Sequence, residues 1–81
     1  MNVERRVLLF AAAADATGAP EVRLPGGETA TVADLAQCLR ARYPALQRLP
    51  FRVAVNRRFA PPELPIQAGD EIAVLPPVAG G

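Results

Sequence analysis

The chain has 81 residues, a formal net charge of +1 and one cysteine, and this length favours one domain covering residues 1–81. All nine basic residues are arginine, and neither histidine nor lysine occurs, which excludes the commonest general base and any lysine-based covalent chemistry. With so little net charge, nucleic acid is not an expected partner. A single cysteine, no signal-peptide pattern and no apolar stretch of about 20 residues predict a cytoplasmic protein without a membrane partner.

The first part of the chain predicts a strand, a short helix and a second strand. Glu4–Phe10 ends in a continuous apolar run, which predicts a strand buried on both faces in the interior of a sheet. The alanine-rich segment 11–17 suits a short helix, and Gly18 is a favourable residue for ending it. Glu21–Leu24 alternates polar and apolar residues, as a strand with one buried face does.

The clearest helix signal begins at Thr31. Asp34 follows three residues later, which makes a capping box with aspartate in place of the usual glutamate. Apolar residues then recur at helical spacing along one face, and this pattern predicts a long helix packed against a sheet. Those residues are Val32, Leu35, Ala36, Leu39 and Tyr43. Pro44 follows them and ends the helix.

Three further strands are predicted at Arg52–Asn56, Phe59–Ala60 and Ile72–Leu75, separated by proline-rich and turn-forming segments. Because the first and last strands are the most apolar, we expect both in the interior of one sheet. The single long helix must then cover one face of that sheet. The predicted fold is therefore α+β, with one main helix packed on a mixed sheet, which is the β-grasp arrangement of ubiquitin-like proteins.

Few side chains offer catalytic or metal-binding chemistry. One cysteine without any histidine cannot form a zinc site, and we expect no bound metal or cofactor. Cys38 lies inside the predicted helix, where it is either a small packed residue or a sulfur-carrying thiol, and the first interpretation is favoured. Asp70 and Glu71 precede the last strand and are typical solvated turn residues.

The end of the sequence offers a different kind of reactive group. Pro76 and Pro77 close the last strand and hold the exit from the sheet stiff and extended. Gly80 and Gly81 carry no side chains, so this end can enter a narrow channel of another protein. The carboxylate of Gly81 can be adenylated by ATP and then attacked by a sulfur nucleophile, which gives a thiocarboxylate. Composition alone leaves open an ordinary unordered Gly-Gly end.

Several segments of the chain resemble the small subunits of molybdopterin synthase, which are ThiS/MoaD-like sulfur carriers. The resemblance is strongest over the end, Gly69–Gly81, and extends to the opening segment Val7–Ala11. It also includes the helix start, Thr31–Leu35, and the third strand, Val53–Asn56. These segments occur in the family's order and span nearly the whole chain. One departure is Arg57, which stands where the family commonly has glycine.

The resemblance implies a β-grasp fold and a carrier function in molybdenum cofactor biosynthesis. An E1-like adenylyltransferase would use ATP to adenylate Gly81, and a cysteine desulfurase or rhodanese-type enzyme would supply sulfur. The thiocarboxylate would then enter the large subunit of a heterotetrameric molybdopterin synthase and donate sulfur to cyclic pyranopterin monophosphate. The catalytic residues are expected in the large subunit, so this chain is not expected to be an enzyme alone. Carriers for cysteine or thiamine synthesis and ubiquitin-like modifiers are the alternatives.

The resemblance also implies that residues 76–81 form a functional tail with an apolar patch beside it, and that the large subunit contacts both. Two aromatic residues and a leucine at strand ends are expected in this patch, the alternative being that they belong to the core. The predicted partner-binding residues are Phe10, Phe59, Leu75, Pro76, Pro77, Val78 and Ala79. Gly80 would assist threading of the tail, and Gly81 would carry the reacting group.

Overall fold

The computed structural model describes residues 4–77 of the chain. Two α-helices, five strands and two short 3₁₀ turns occur within this range. In chain order they are β1 (Glu4–Leu9), α1 (Ala12–Thr17), β2 (Glu21–Pro25), a 3₁₀ turn (Gly26–Glu28), α2 (Val32–Arg42), a second 3₁₀ turn (Pro44–Leu46), β3 (Arg52–Val55), β4 (Arg58–Phe59) and β5 (Ile72–Leu75). All strands and helices expected from the sequence are present, with some ends shifted by a residue.

The five strands form one mixed sheet in the order β2-β1-β5-β3-β4. β1 pairs antiparallel with β2 and parallel with β5, while β5 pairs antiparallel with β3. The first and last strands therefore each have a neighbour on both sides, which confirms the interior place expected for them. β5 lies at the centre of the sheet.

Helix α2 packs on one face of the sheet and encloses the core. The side-chain oxygen of Thr31 accepts a hydrogen bond from the backbone N–H of Asp34 at 3.2 Å, as the capping signal predicted. The apolar face of α2 is buried against alternate residues of the strands. The fully enclosed apolar side chains are Val7, Leu24, Leu35, Leu39, Leu46, Ile72 and Val74. Burial of such surface stabilises the fold by roughly 25 cal/mol for each Å² removed from water.

Strand β1 differs from expectation because only one of its faces is covered. Val7 and Leu9 point into the core and are buried. Leu8 is half-buried on the opposite face, and Phe10, just after the strand, is exposed. The interpretation of the continuous apolar run as burial on both faces is therefore wrong. The run instead reflects a second apolar surface, on the side of the sheet away from α2.

A mixed five-stranded sheet with one main helix across a face is the β-grasp arrangement, so the fold class expected from the sequence is confirmed. The longer of the two helices, α2, has 11 residues. Within residues 4–77, no helix is long and apolar enough to cross a membrane.

The turn between β3 and β4 requires an unusual backbone conformation. Asn56 and Arg57 have positive φ angles of 54° and 69°, and they form a two-residue hairpin connection of the type that favours Asn-Gly. Asparagine tolerates this left-handed conformation, but most other side chains in it cost about 1–2 kcal/mol. Arg57 therefore occupies a position suited to glycine.

A hydrogen-bond cluster ties this turn to the segment before β5. The Asn56 side-chain oxygen accepts from the N–H of Glu71 at 2.9 Å, and Asn56 Nδ2 donates to Asp70 Oδ1 at 3.0 Å. The other oxygen of Asp70 accepts from the backbone N–H of Gln67 at 2.7 Å. These donors, the Gln67 N–H foremost and the Asn56 amide second, hold the pKa of Asp70 below its ordinary value.

We expect Arg57→Gly to raise the free energy of unfolding by about 0.5–1 kcal/mol, because the strain at positive φ exceeds the entropy cost of glycine. In thermal unfolding, the melting temperature should rise by roughly 2–8 °C for a domain of this size. The control is Arg57→Ala, which also removes the exposed ion pair with Glu71 at 3.6 Å but keeps the strained Cβ. An equal gain in Arg57→Ala would contradict this explanation.

We expect Asp70→Asn to lower the free energy of unfolding near neutral pH, and we expect this loss to become smaller as the pH falls. Asp70 has a lower pKa in the folded chain, so its carboxylate contributes stability above the unfolded pKa of about 3.9. That contribution is lost as the pH falls through the lower folded pKa. Thermal unfolding as a function of pH should therefore show the two proteins converging in acid. Glu63→Gln, which removes an exposed loop carboxylate, is the control, and a constant gap for Asp70→Asn would refute the assignment.

Candidate functional site: an apolar groove beside the tail exit

The sheet face opposite α2 carries a shallow apolar groove of about 480 Å³. Leu8 of β1 is paired with Ala73 of β5, and Ala73 is paired in turn with Ala54 of β3. Ala54 is paired with Phe59 of β4. Because strand side chains alternate between faces, this row points away from the core. Leucine and phenylalanine form the walls of the groove, and the two alanines form its floor.

Phe10 and Leu75 extend the groove toward the end of β5. Phe10 is 47% exposed and Phe59 is 42% exposed, so neither belongs to the core, the alternative that the sequence left open. Leu75 is half-buried and is the last residue of β5, so the groove reaches the point where the tail begins. The structure thus brings together the three residues predicted for an apolar patch.

Three further groove residues, Leu8, Ala54 and Ala73, were not predicted from the sequence. Leu8 lies in the apolar run that indicated a strand buried on both faces. The two alanines carry no local signal, since alanine occurs readily both in cores and on surfaces. Only the pairing of four strands shows that these side chains share one surface.

Arginines stand at both ends of the groove. The guanidinium carbon of Arg52 lies 4.3 Å from the centre of the Phe59 ring, a cation–π contact that holds this wall in place. Arg52 is paired with Leu75, which puts it at the tail end. At the other end, Arg57 lies 3.6 Å from Glu71, and both line the groove. This ion pair is exposed and therefore adds little to stability.

A strained turn holds Phe10 beside the groove. Ala11 has φ 53° and ψ −127°, a conformation that glycine normally adopts at the first central position of a type II′ turn. The N–H of Ala13 closes the turn on the Phe10 carbonyl at 3.2 Å, and the Phe10 N–H donates to the Val74 carbonyl at 3.1 Å. Strained backbone of this kind is concentrated at binding and active sites.

The segment that leads to the tail departs from the central strand beside the groove. β5 ends at Leu75, and the prolines that follow have no N–H to donate to a neighbouring strand. Pro76 and Pro77 are both exposed. The remaining predicted site residues, Val78, Ala79, Gly80 and Gly81, lie outside the described residues.

Cys38 lies on the other side of the sheet from the groove. It is half-buried in α2 and packs against the core, as a small helix residue does. Arg42 lies one helical turn later, and its interaction with the Cys38 side chain is the main cause that raises the pKa of its guanidinium. Residues four apart on a helix are neighbours, so this pairing could have been predicted from the spacing but was not.

A larger cleft, of about 890 Å³, lies at the end of the sheet where β1 and β5 begin. Its lining includes charged side chains, but the central ones already bond within the chain. Arg5 donates to Thr29 Oγ1 at 2.9 Å and to the Gln67 carbonyl at 3.1 Å, and Asp70 belongs to the cluster with Asn56. The cleft lies at the start of β5, whereas the groove reaches Leu75 at its end, beside the tail exit, so the smaller groove is the stronger candidate. Among residues 4–77, no group of side chains is arranged to hold a metal ion.

Comparison with known proteins places the chain among sulfur-carrier relatives along nearly its full length. It is 33% identical over 82 residues to the molybdopterin synthase sulfur carrier subunit of Arabidopsis thaliana, covering 99% of this chain and 85% of that protein. It is 38% identical over 84 residues to the protein of the same name from Mycobacterium tuberculosis, covering 98% of this chain and 99% of that protein.

A solved structure shares the fold. The crystal structure of the small archaeal modifier protein 1 of Haloferax volcanii matches with a TM-score of 0.78 at 32% identity, covering 90% of this chain and 95% of that one. The model of the ThiS family matches residues 7–81, a range that includes the groove residues and the terminal glycines. The β-grasp fold, the full-length relatives and this match agree, and the chain belongs to the ThiS family.

Proposed function

We propose that this chain is a sulfur carrier of molybdenum cofactor biosynthesis and acts as the small subunit of molybdopterin synthase. The observation that carries the proposal is full-length similarity to two proteins named molybdopterin synthase sulfur carrier subunits, at 33% and 38% identity. The groove beside the tail exit supports it, because a carrier must be held by its partner while its end reacts.

In this proposal the reacting group is the carboxylate of Gly81. An E1-like adenylyltransferase joins AMP from ATP to this carboxylate and releases pyrophosphate. The outer sulfur of a persulfide on a cysteine desulfurase or rhodanese-type enzyme then attacks the acyl carbon and displaces AMP. A thiol reduces the resulting acyl disulfide, and this cleavage of the S–S bond releases the thiocarboxylate. The chain has no histidine or lysine, so the activating enzyme supplies the acid–base chemistry and uses the ATP.

The loaded end then enters the large subunit, which transfers its sulfur to cyclic pyranopterin monophosphate and returns the carrier as a carboxylate. One carrier delivers one sulfur, whereas a dithiolene contains two, so two deliveries are needed for each product. A heterotetramer with two small subunits fits this requirement. The catalytic residues belong to the large subunit, and the reaction takes place in the cytoplasm.

The apolar groove and residues 76–79 form the proposed contact with the large subunit. Phe10 and Phe59 are both exposed, and burying one such side chain in an interface contributes roughly 1.5–3 kcal/mol. Pro76 and Pro77 have restricted φ angles and no N–H to pair with a strand, which favours an extended approach to the tail. Gly80 adds no side chain, so the channel that receives the tail can be narrow.

A ubiquitin-like modifier is the second candidate, favoured by the similarity to the small archaeal modifier protein. A modifier would use the same activated Gly81 but would form an amide bond with an amine of another protein. Carriers for cysteine or thiamine synthesis would also be loaded with sulfur but would deliver it to other acceptors. Sulfur loading therefore separates the carriers from the modifier, and the acceptor separates one carrier from another.

Deleting Gly81 should abolish sulfur loading and leave the fold intact, because the residue lies beyond the last strand. The measurement is the intact mass after incubation with the E1-like enzyme, ATP and a sulfur source, with thermal unfolding as a check. Cys38→Ser is the matched control, since it removes the only thiol and should load normally. Loading of the deletion variant, or no loading of folded Cys38→Ser, would overturn the assignment.

Phe59→Arg should weaken binding to the large subunit by at least about tenfold, because a charge replaces a buried apolar contact. The melting temperature should change little, since the ring is 42% exposed. Gln37→Arg introduces the same charge on the exposed side of α2 and should bind normally in calorimetry. A large fall in the melting temperature of Phe59→Arg would show that the ring supports the core. An unchanged affinity for the large subunit would show that Phe59 is not part of the interface.

A further inference from the structure

We propose that Ala54 and Ala73 make the groove a socket for one bulky apolar side chain of the large subunit, presented next to a carboxylate that faces Arg52. This inference rests on the proposed function and adds the chemistry of the surface that the carrier recognises. It assigns a role in partner selection to two alanines that carry no reactive group.

The spacing of the strands sets the width of the socket. Neighbouring strands lie about 4.8 Å apart, so β1 and β4, which carry the two walls, are separated by roughly 14 Å. Leu8 and Phe59 project from these strands and occupy part of that width. The remaining space above the alanines is too narrow for a helix of about 10–12 Å diameter and suits a single side chain.

The choice of alanine sets the depth of the socket. Ala54 and Ala73 lie side by side on the two interior strands β3 and β5, where β-branched and aromatic residues are the usual choice and alanine is disfavoured. Each alanine is flanked along its own strand by β-branched residues that face the core. The small residues are therefore confined to the face that carries the groove, where they keep its floor low.

Arg52 gives the socket a preference for negative charge at its tail end. Its guanidinium stacks on Phe59, while the ion pairs formed within residues 4–77 involve Arg6, Arg42 and Arg57 instead. A partner carboxylate facing Arg52 would form a charge-assisted hydrogen bond, which is stronger than a neutral one. The far end is already neutralised by the pair of Arg57 with Glu71.

A second copy of this chain fits the socket less well. Within residues 4–77, the exposed large apolar side chains are Phe10 and Phe59, and both already belong to the groove lining. Two such faces placed together would leave both alanine floors unfilled and would bring the two Arg52 side chains to the same interface. A partner with a complementary apolar side chain and a carboxylate would fill the alanine floor and pair with Arg52.

The test compares Ala73→Ile, which fills the floor with a residue that strands favour, and Ala73→Ser, which keeps the floor low. Ala73→Ile should bind the large subunit at least about tenfold more weakly, while Ala73→Ser should stay within a few-fold of the unchanged chain. Thermal unfolding confirms that each variant is folded, and Ala73→Val replaces Ala73→Ile if the larger residue lowers the melting temperature. Sulfur loading and binding of the unchanged chain report on the proposed function, whereas the difference between the variants reports on the socket.

Arg52→Gln tests the charge preference, with Arg52→Lys as the control that keeps the charge. Arg52→Gln should bind more weakly and lose part of the salt dependence of binding, while Arg52→Lys should keep most of that salt dependence.

Equal affinity of folded Ala73→Ile and the unchanged chain for the large subunit would overturn the proposed socket. Identical salt dependence of binding in the unchanged chain and both Arg52 variants would show that no partner carboxylate faces Arg52. Dissociation of a dimer by Ala73→Ile would show that a second copy is the occupant. Failure of the unchanged chain to bind the large subunit would overturn both this inference and the proposed partner.

Discussion

Strand β5 is four residues long, yet the core, the groove and the tail exit all depend on its pairing with β1 on one side and β3 on the other. Ile72 and Val74 point toward α2 and are buried in the core. Ala73 and Leu75 point the other way and line the groove. Because side chains alternate along a strand, a slip of one residue would exchange the two sets. The register of β5 therefore decides which side chains stabilise the core and which line the groove.

In the proposed function, the described residues present a reactive end to partner proteins. Two central charged groups of the larger cleft already bond within the chain, Arg5 with Thr29 and Asp70 with Asn56. The apolar groove, in contrast, adjoins the exit of the tail. In the proposed function, catalytic groups are therefore supplied twice from outside, first by the activating enzyme and then by the large subunit.

Most of the fold could be predicted from the sequence, because the residues that begin and end a helix or strand lie close to it in the chain. The Thr31 cap and the helix end at Gly18, which has a φ of 76°, are local. Three groove residues, Phe10, Phe59 and Leu75, were predicted from the resemblance. Leu8 and the two floor alanines could not be predicted, since their place depends on the register of four paired strands. Leu8 shows the difficulty, because an apolar side chain on a partner-facing surface looks like a core residue in the sequence. The assignment of Gly81 rests on the sequence and on a family match that extends through that residue.

In the proposed function, Gly81 delivers sulfur to a pyranopterin. The most direct measurement offers the thiocarboxylated chain to the large subunit with cyclic pyranopterin monophosphate and, in parallel, to a cysteine synthase with its own acceptor. Mass spectrometry follows both the carrier and the products. We expect molybdopterin, with two carriers returned to the carboxylate for each dithiolene formed, and no cysteine in the parallel reaction. Cysteine formation at a comparable rate, or a thiocarboxylate that persists beside the pyranopterin, would contradict it.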